Sequence, residues 1–63
     1  MKLISLLNVL DGDTKIHIQF NRKEVFDGYA GDLIPVALPF TALESDIKAV
    51  WYSTTMNRII IEV

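Results

Sequence analysis

His17 is the only histidine in the chain, so a catalytic triad or a proton relay would have to centre on it. Its natural partner is Asp27, a carboxylate beside an imidazole being the pairing that general-base chemistry uses. Ser5, Ser45 and Ser53 supply hydroxyls, but none stands in a nucleophile-elbow pattern. General-base catalysis also needs a pocket, which 63 residues seldom enclose. Asp11-Gly12-Asp13 opens like a carboxylate calcium loop, yet Lys15 takes the fifth position and Ile16 the sixth, where such a loop needs an oxygen and a glycine. That tripeptide reads instead as a helix-to-strand turn, with Gly12 supplying unusual backbone angles. Gly28 and Gly31 do not open a phosphate-binding helix and read as strand-end punctuation. With no cysteine, disulfides and thiolate zinc sites are excluded. The expectation is a non-enzyme with no metal and no cofactor.

Trp51 and Tyr52 could stack on nucleic-acid bases, but such platforms sit in a cationic groove. Here the net charge is −2 and only Arg22 and Lys23 are adjacent among the basic residues. The aromatic pair therefore reads as core or as anchors of a protein contact.

The elements that would position these groups follow from periodicity. Leu3, Leu6, Leu7 and Leu10 form the stripe of an amphipathic helix over residues 2–11, stopped near Gly12. From Thr14 the period becomes two: Ile16, Ile18 and Phe20 alternate with Lys15, His17 and Gln19. Asn21-Arg22-Lys23 reads as a turn and Glu24 to Tyr29 as the returning strand. A three-residue loop puts Phe26 beside Ile18 in the core and Asp27 opposite His17 outside, which keeps the carboxylate off the apolar face. Residues 33–44 read as a crossover with room for one helical turn, anchored by Leu33, Leu38, Phe40 and Leu43, with Asp32 placed to cap a short turn, Pro35 tolerated in a first turn and Pro39 limiting its extent. A second hairpin follows: Ile47 to Ser53, a turn over Thr54 to Asn57, and Arg58 to Val63. Ile59, Ile61 and Val63 share the core face. Ile60 then lies on the other face, joined by Trp51 or by the Val50/Tyr52 pair according to register.

The expected fold is α+β: an N-terminal helix on one face of a four-stranded antiparallel sheet made of two β-hairpins, in the order α-β-β-crossover-β-β, with residues 1–63 forming one domain. A chain this short buries only about 60% of its unfolded surface, while 51% of its residues are hydrophobic. Apolar side chains left outside mark a partner site. Lys2 and the apolar residues behind it resemble the start of a signal peptide, but Asn8 and Asp11-Gly12-Asp13 interrupt the stretch and no small-residue cleavage site follows. A cytoplasmic location is expected, with no membrane span.

Met1-Lys2-Leu3 leading to Leu6-Leu7 and Val9-Leu10-Asp11, then Asp13-Thr14-Lys15-Ile16, Val25 through Asp32 and the terminal Ile59-Ile60-Ile61-Glu62-Val63 carry a resemblance. The chain resembles a class of small uncharacterised proteins of Gram-positive bacteria and their phages. The resemblance covers most of the chain and implies a mobile-element origin, but transfers no activity. Pro39 and Phe40 make the crossover less typical.

The expected function is a protein-interaction module, with Val50, Trp51, Tyr52 and Ile60 as the partner-binding residues. A second copy of the chain is one candidate partner. A host enzyme or defence complex, inhibited on binding, is another that a phage-like origin implies. The alternative is a nucleic-acid-associated regulator using the mixed face with Lys15, His17 and Lys48.

Overall fold

The computed structural model describes residues 1–33 and 38–63. In chain order they form α1 (Leu3–Leu7), β1 (Lys15–Phe20), β2 (Lys23–Tyr29), a single 3-10 turn (Ala30–Asp32), α2 (Phe40–Glu44), β3 (Ala49–Ser53) and β4 (Arg58–Glu62). The strands make one sheet in the order β2-β1-β4-β3. The expected α+β architecture of helix, two hairpins and crossover is present; a helical turn does fall within 33–44, but as α2 it begins after Pro39, which precedes it instead of ending it. Pro35 lies outside the described residues.

Each hairpin is antiparallel, but β1 and β4 run parallel where the hairpins meet. The sheet is therefore mixed rather than antiparallel throughout. The reason lies in β4. Its run Ile59-Ile60-Ile61 is apolar on both faces, which suits a central strand and disfavours an edge. The crossover carries the chain past that central position, so β3 is laid down outermost and β4 returns beside β1. Ile16 then pairs with Ile59 and Ile18 with Ile61, and all four side chains face the helices. Beyond the strand ends Val63 continues the pairing, donating its N–H to the Gln19 carbonyl (2.9 Å) while its own carbonyl accepts from Asn21 (3.4 Å).

The core consists of Leu3, Ile16, Ile18, Leu38, Ala42, Ile61 and Val63. Leu6, Leu7, Leu10, Leu33 and Leu43 pack around it, so the leucine stripe does face inward. The regular helix, however, stops at Leu7 instead of reaching residue 11. Lys2 at its start makes no side-chain capping bond, and Val9 turns back to the Leu6 carbonyl in a tighter bond. Asp11 Oδ1 then accepts the Asp13 N–H (3.1 Å), a local turn that competes with continued helix. Leu10 reaches the core from that turn. Phe40, expected as an anchor of the crossover, opens α2 with 76% of its surface exposed. Asp32 ends the 3-10 turn, and the residues that it would cap lie outside the described ones.

Gly12 is explained by proximity, not by unusual backbone angles: its φ is not positive. Gly31 donates to the Gly12 carbonyl at 2.9 Å, and a Cβ on Gly31 would stand 3.1 Å from both the Gly12 carbonyl oxygen and its Cα. Two glycines let the loop before β1 and the end of β2 touch backbone to backbone.

Candidate interaction surface

The first hairpin places Phe26 opposite Ile18 and Asp27 opposite His17, as the sequence predicts. It does so by another route. The loop is the two-residue turn Asn21-Arg22, with φ of 54° and 66°, the double positive φ of a type I′ turn. A β-bulge between the Ile18 and Gln19 pairings then inserts Val25 as an extra residue. The bulge restores the register that a three-residue loop would have given. It also puts Glu24 and Asp27, three positions apart, on the same face of the sheet as His17.

In the second hairpin Trp51 pairs with Ile60, while Val50 pairs with Ile61 and Tyr52 with Ile59. Trp51 therefore joins Ile60 on the face away from the helices. Val50 and Tyr52 belong to the helix-side face, at an outermost strand that the helices leave uncovered. The three side chains are exposed at 50% (Val50), 46% (Trp51) and 55% (Tyr52). The Tyr52 hydroxyl donates to Asn57 Oδ1 and ties the ring to the hairpin loop. The Ser53 hydroxyl accepts the Met56 N–H at 3.1 Å, and Asn57 N–H closes the loop on the Ser53 carbonyl at 2.7 Å.

Ile60 is not exposed. It retains 3% of its surface, flanked in register by His17 and Trp51, and so cannot serve as a direct contact for a partner. Three consecutive β-branched residues carried this signal: a strand apolar on both faces is buried on both.

His17, 6% exposed, is the buried polar residue of this second face. Its neighbours Glu24 and Asp27 come from β2, and Arg58 reaches from β4 across β1 to form an ion pair with Asp27. Lys15 lies over the Tyr29 ring, 5.6 Å from its centre. Alternation adds Glu62 to this face. The basic groups are thus interleaved with carboxylates and do not line a cationic groove.

A depression of about 490 Å³ lies at the far end of the sheet, lined by Asn21, Arg22, Lys48, Glu62 and Val63. None of these is a nucleophile with an adjacent base. No helix among the described residues is long and apolar enough to cross a membrane.

What β3 offers is specific. Alternate backbone N–H and C=O groups of an outermost strand point away from the sheet. Here they stand between exposed apolar side chains on both faces, with no charge, proline or bulge from Ala49 to Ser53. Strand addition uses this combination, main-chain bonds supplying affinity and alternate side chains supplying selectivity. No family model, curated protein or solved structure matches the chain.

Proposed function

We propose that this protein is an interaction module that binds by adding a strand to its β3 edge, with Val50, Trp51 and Tyr52 as anchors and a second copy of the chain as the first partner. The observation that supports this reading is the edge itself, beside which no further strand pairs from Ala49 to Ser53 among the described residues. Five residues, Ala49–Ser53, form an outermost strand with no charged side chain. Natural sheets blunt such edges unless they are covered.

Self-pairing suits the strand. Antiparallel addition about a two-fold axis at Trp51 sets Trp51 against its counterpart and Val50 against Tyr52 of the second copy, with no like charges opposed. The arrangement extends the sheet from four strands to eight. It also covers the apolar side chains that a small core leaves outside.

The test is molar mass by light scattering as a function of concentration, for the native chain and Val50→Lys. A lysine at this exposed position guards an edge without touching the core. The native chain should approach twice its 7.1 kDa mass at high concentration while the variant stays monomeric. A native chain that remains monomeric throughout the millimolar range overturns self-pairing.

A further inference from the structure

We propose that His17, Glu24 and Asp27 form a binding site for a divalent transition-metal ion of the zinc class, on the face of the sheet opposite the helices. The three side chains offer one imidazole nitrogen and two carboxylate oxygens, all within 4.8 Å of one another. His17 Nδ1 lies 3.6 Å from Glu24 Oε1 and 3.8 Å from Asp27 Oδ1. Ligand atoms on a tetrahedron of zinc bonds stand roughly 3.3 Å apart. Binding would draw the groups together by well under an ångström on those two sides. Glu24 is 58% exposed along its side chain and Asp27 34%, so both have room to move.

The second observation is independent of the carboxylates. The His17 side chain is 92% buried (8% exposed), and its Nδ1 has no hydrogen-bond partner. A buried polar atom without a partner is destabilising unless something else satisfies it. It points at two carboxylates that are each too far for a hydrogen bond and well placed for a bridging cation. Nε2, the other ring nitrogen, lies 3.4 Å from the Gln19 side-chain amide. The contacting atom is the amide nitrogen; exchanging the amide's nitrogen and oxygen ends, which are assigned by hydrogen bonding, would let Gln19 accept the Nε2 proton and leave the Nδ1 lone pair facing the carboxylates, the outer-shell arrangement typical of metal-ligating histidine. The bulge at Val25 is what brings both carboxylates to this face; regular alternation would have turned one away.

Arg58 competes. Its guanidinium pairs with Asp27 Oδ1, the oxygen nearest His17, so an incoming ion must take that oxygen from it or share the carboxylate. This competition distinguishes a metal site from a structural ion-pair cluster. Removing Arg58 should strengthen metal binding while weakening any purely structural network.

The experiment titrates the full chain with Zn²⁺, and with Co²⁺ for its visible absorption, following calorimetry and thermal unfolding. The expected result is one ion per chain, a melting temperature raised by more than about 10 °C at a hundredfold excess over Kd, and cobalt bands of a nitrogen/oxygen site. Glu24→Gln, at an exposed position that leaves the fold intact, should weaken binding at least about tenfold. Arg58→Met should strengthen it. Lack of one-to-one binding in the native chain overturns the site, and so does binding that Glu24→Gln and Asp27→Asn leave unchanged. Weaker binding in Arg58→Met overturns the proposed competition and returns the cluster to a structural role.

Discussion

The two edges of this sheet are built on opposite principles. β2 carries Lys23, Glu24 and Asp27, is interrupted by a bulge at Val25, and ends in Gly28, Tyr29 and a 3-10 turn. Charges and a bulge are the devices by which natural sheets refuse another strand. β3 has neither: Ala49, Val50, Trp51, Tyr52 and Ser53 run without a break. Chain economy does not explain the contrast, because both edges belong to hairpins in the same small sheet. β2 supplies two carboxylates to the buried His17, whereas β3 presents exposed apolar side chains and, among the described residues, an unpaired strand edge.

The largest test of this comparison strikes the strands between the edges. Ile60→Ala removes a side chain buried between His17 and Trp51 and should cost about 2–5 kcal/mol. A domain of this size holds only about 3–5 kcal/mol in total, so urea denaturation should find the variant largely unfolded and both edges lost together. A fold that survives unchanged would mean that the edges do not share a rigid centre. Next comes Gly31→Ala, whose Cβ must push the Gly12 backbone away from 3.1 Å; a loss of about 1–3 kcal/mol is expected in thermal unfolding. Because that contact braces the end of β2, self-association through β3 should persist while the protein stays folded. Val50→Lys should move stability by no more than about 0.5 kcal/mol yet abolish association, whereas Lys23→Glu on the β2 edge should change neither. The smallest effect belongs to the tight turn: Arg22 holds a positive φ of 66°, and Arg22→Gly should stabilise the first hairpin by no more than about 1 kcal/mol, since relief of left-handed strain (about 1–2 kcal/mol) is offset in part by the greater chain entropy of glycine.

The sequence made some of this contrast legible and hid the rest for physical reasons. The leucine stripe, the alternation from Ile16 to Phe20 and the β-branched terminal strand identified the elements, because a single buried face imposes a period on the chain. The pairing of Asp27 with His17 followed from keeping a carboxylate off the core. Strand order did not follow, because it depends on where a crossover lands, and no local period records that. The two-residue turn and compensating bulge at Val25 were invisible because a three-residue loop gives the same pairing. Alternation places Ile60 on the face away from the helices but does not reveal that it is buried there. Alternation tells which face a residue occupies, whereas burial on that face depends on neighbours supplied by β1 and β3. Trp51, Tyr52 and Val50 were named by type, and only strand order reveals that they form an edge.

The most direct test of the edge account is backbone amide hydrogen exchange, read residue by residue across a dilution series. The account predicts that amides within Ala49–Ser53 gain protection as concentration rises, while those of Lys23–Tyr29 exchange at the same rates throughout. Protection that grows equally at both edges, or at β2 alone while molar mass doubles, would contradict it.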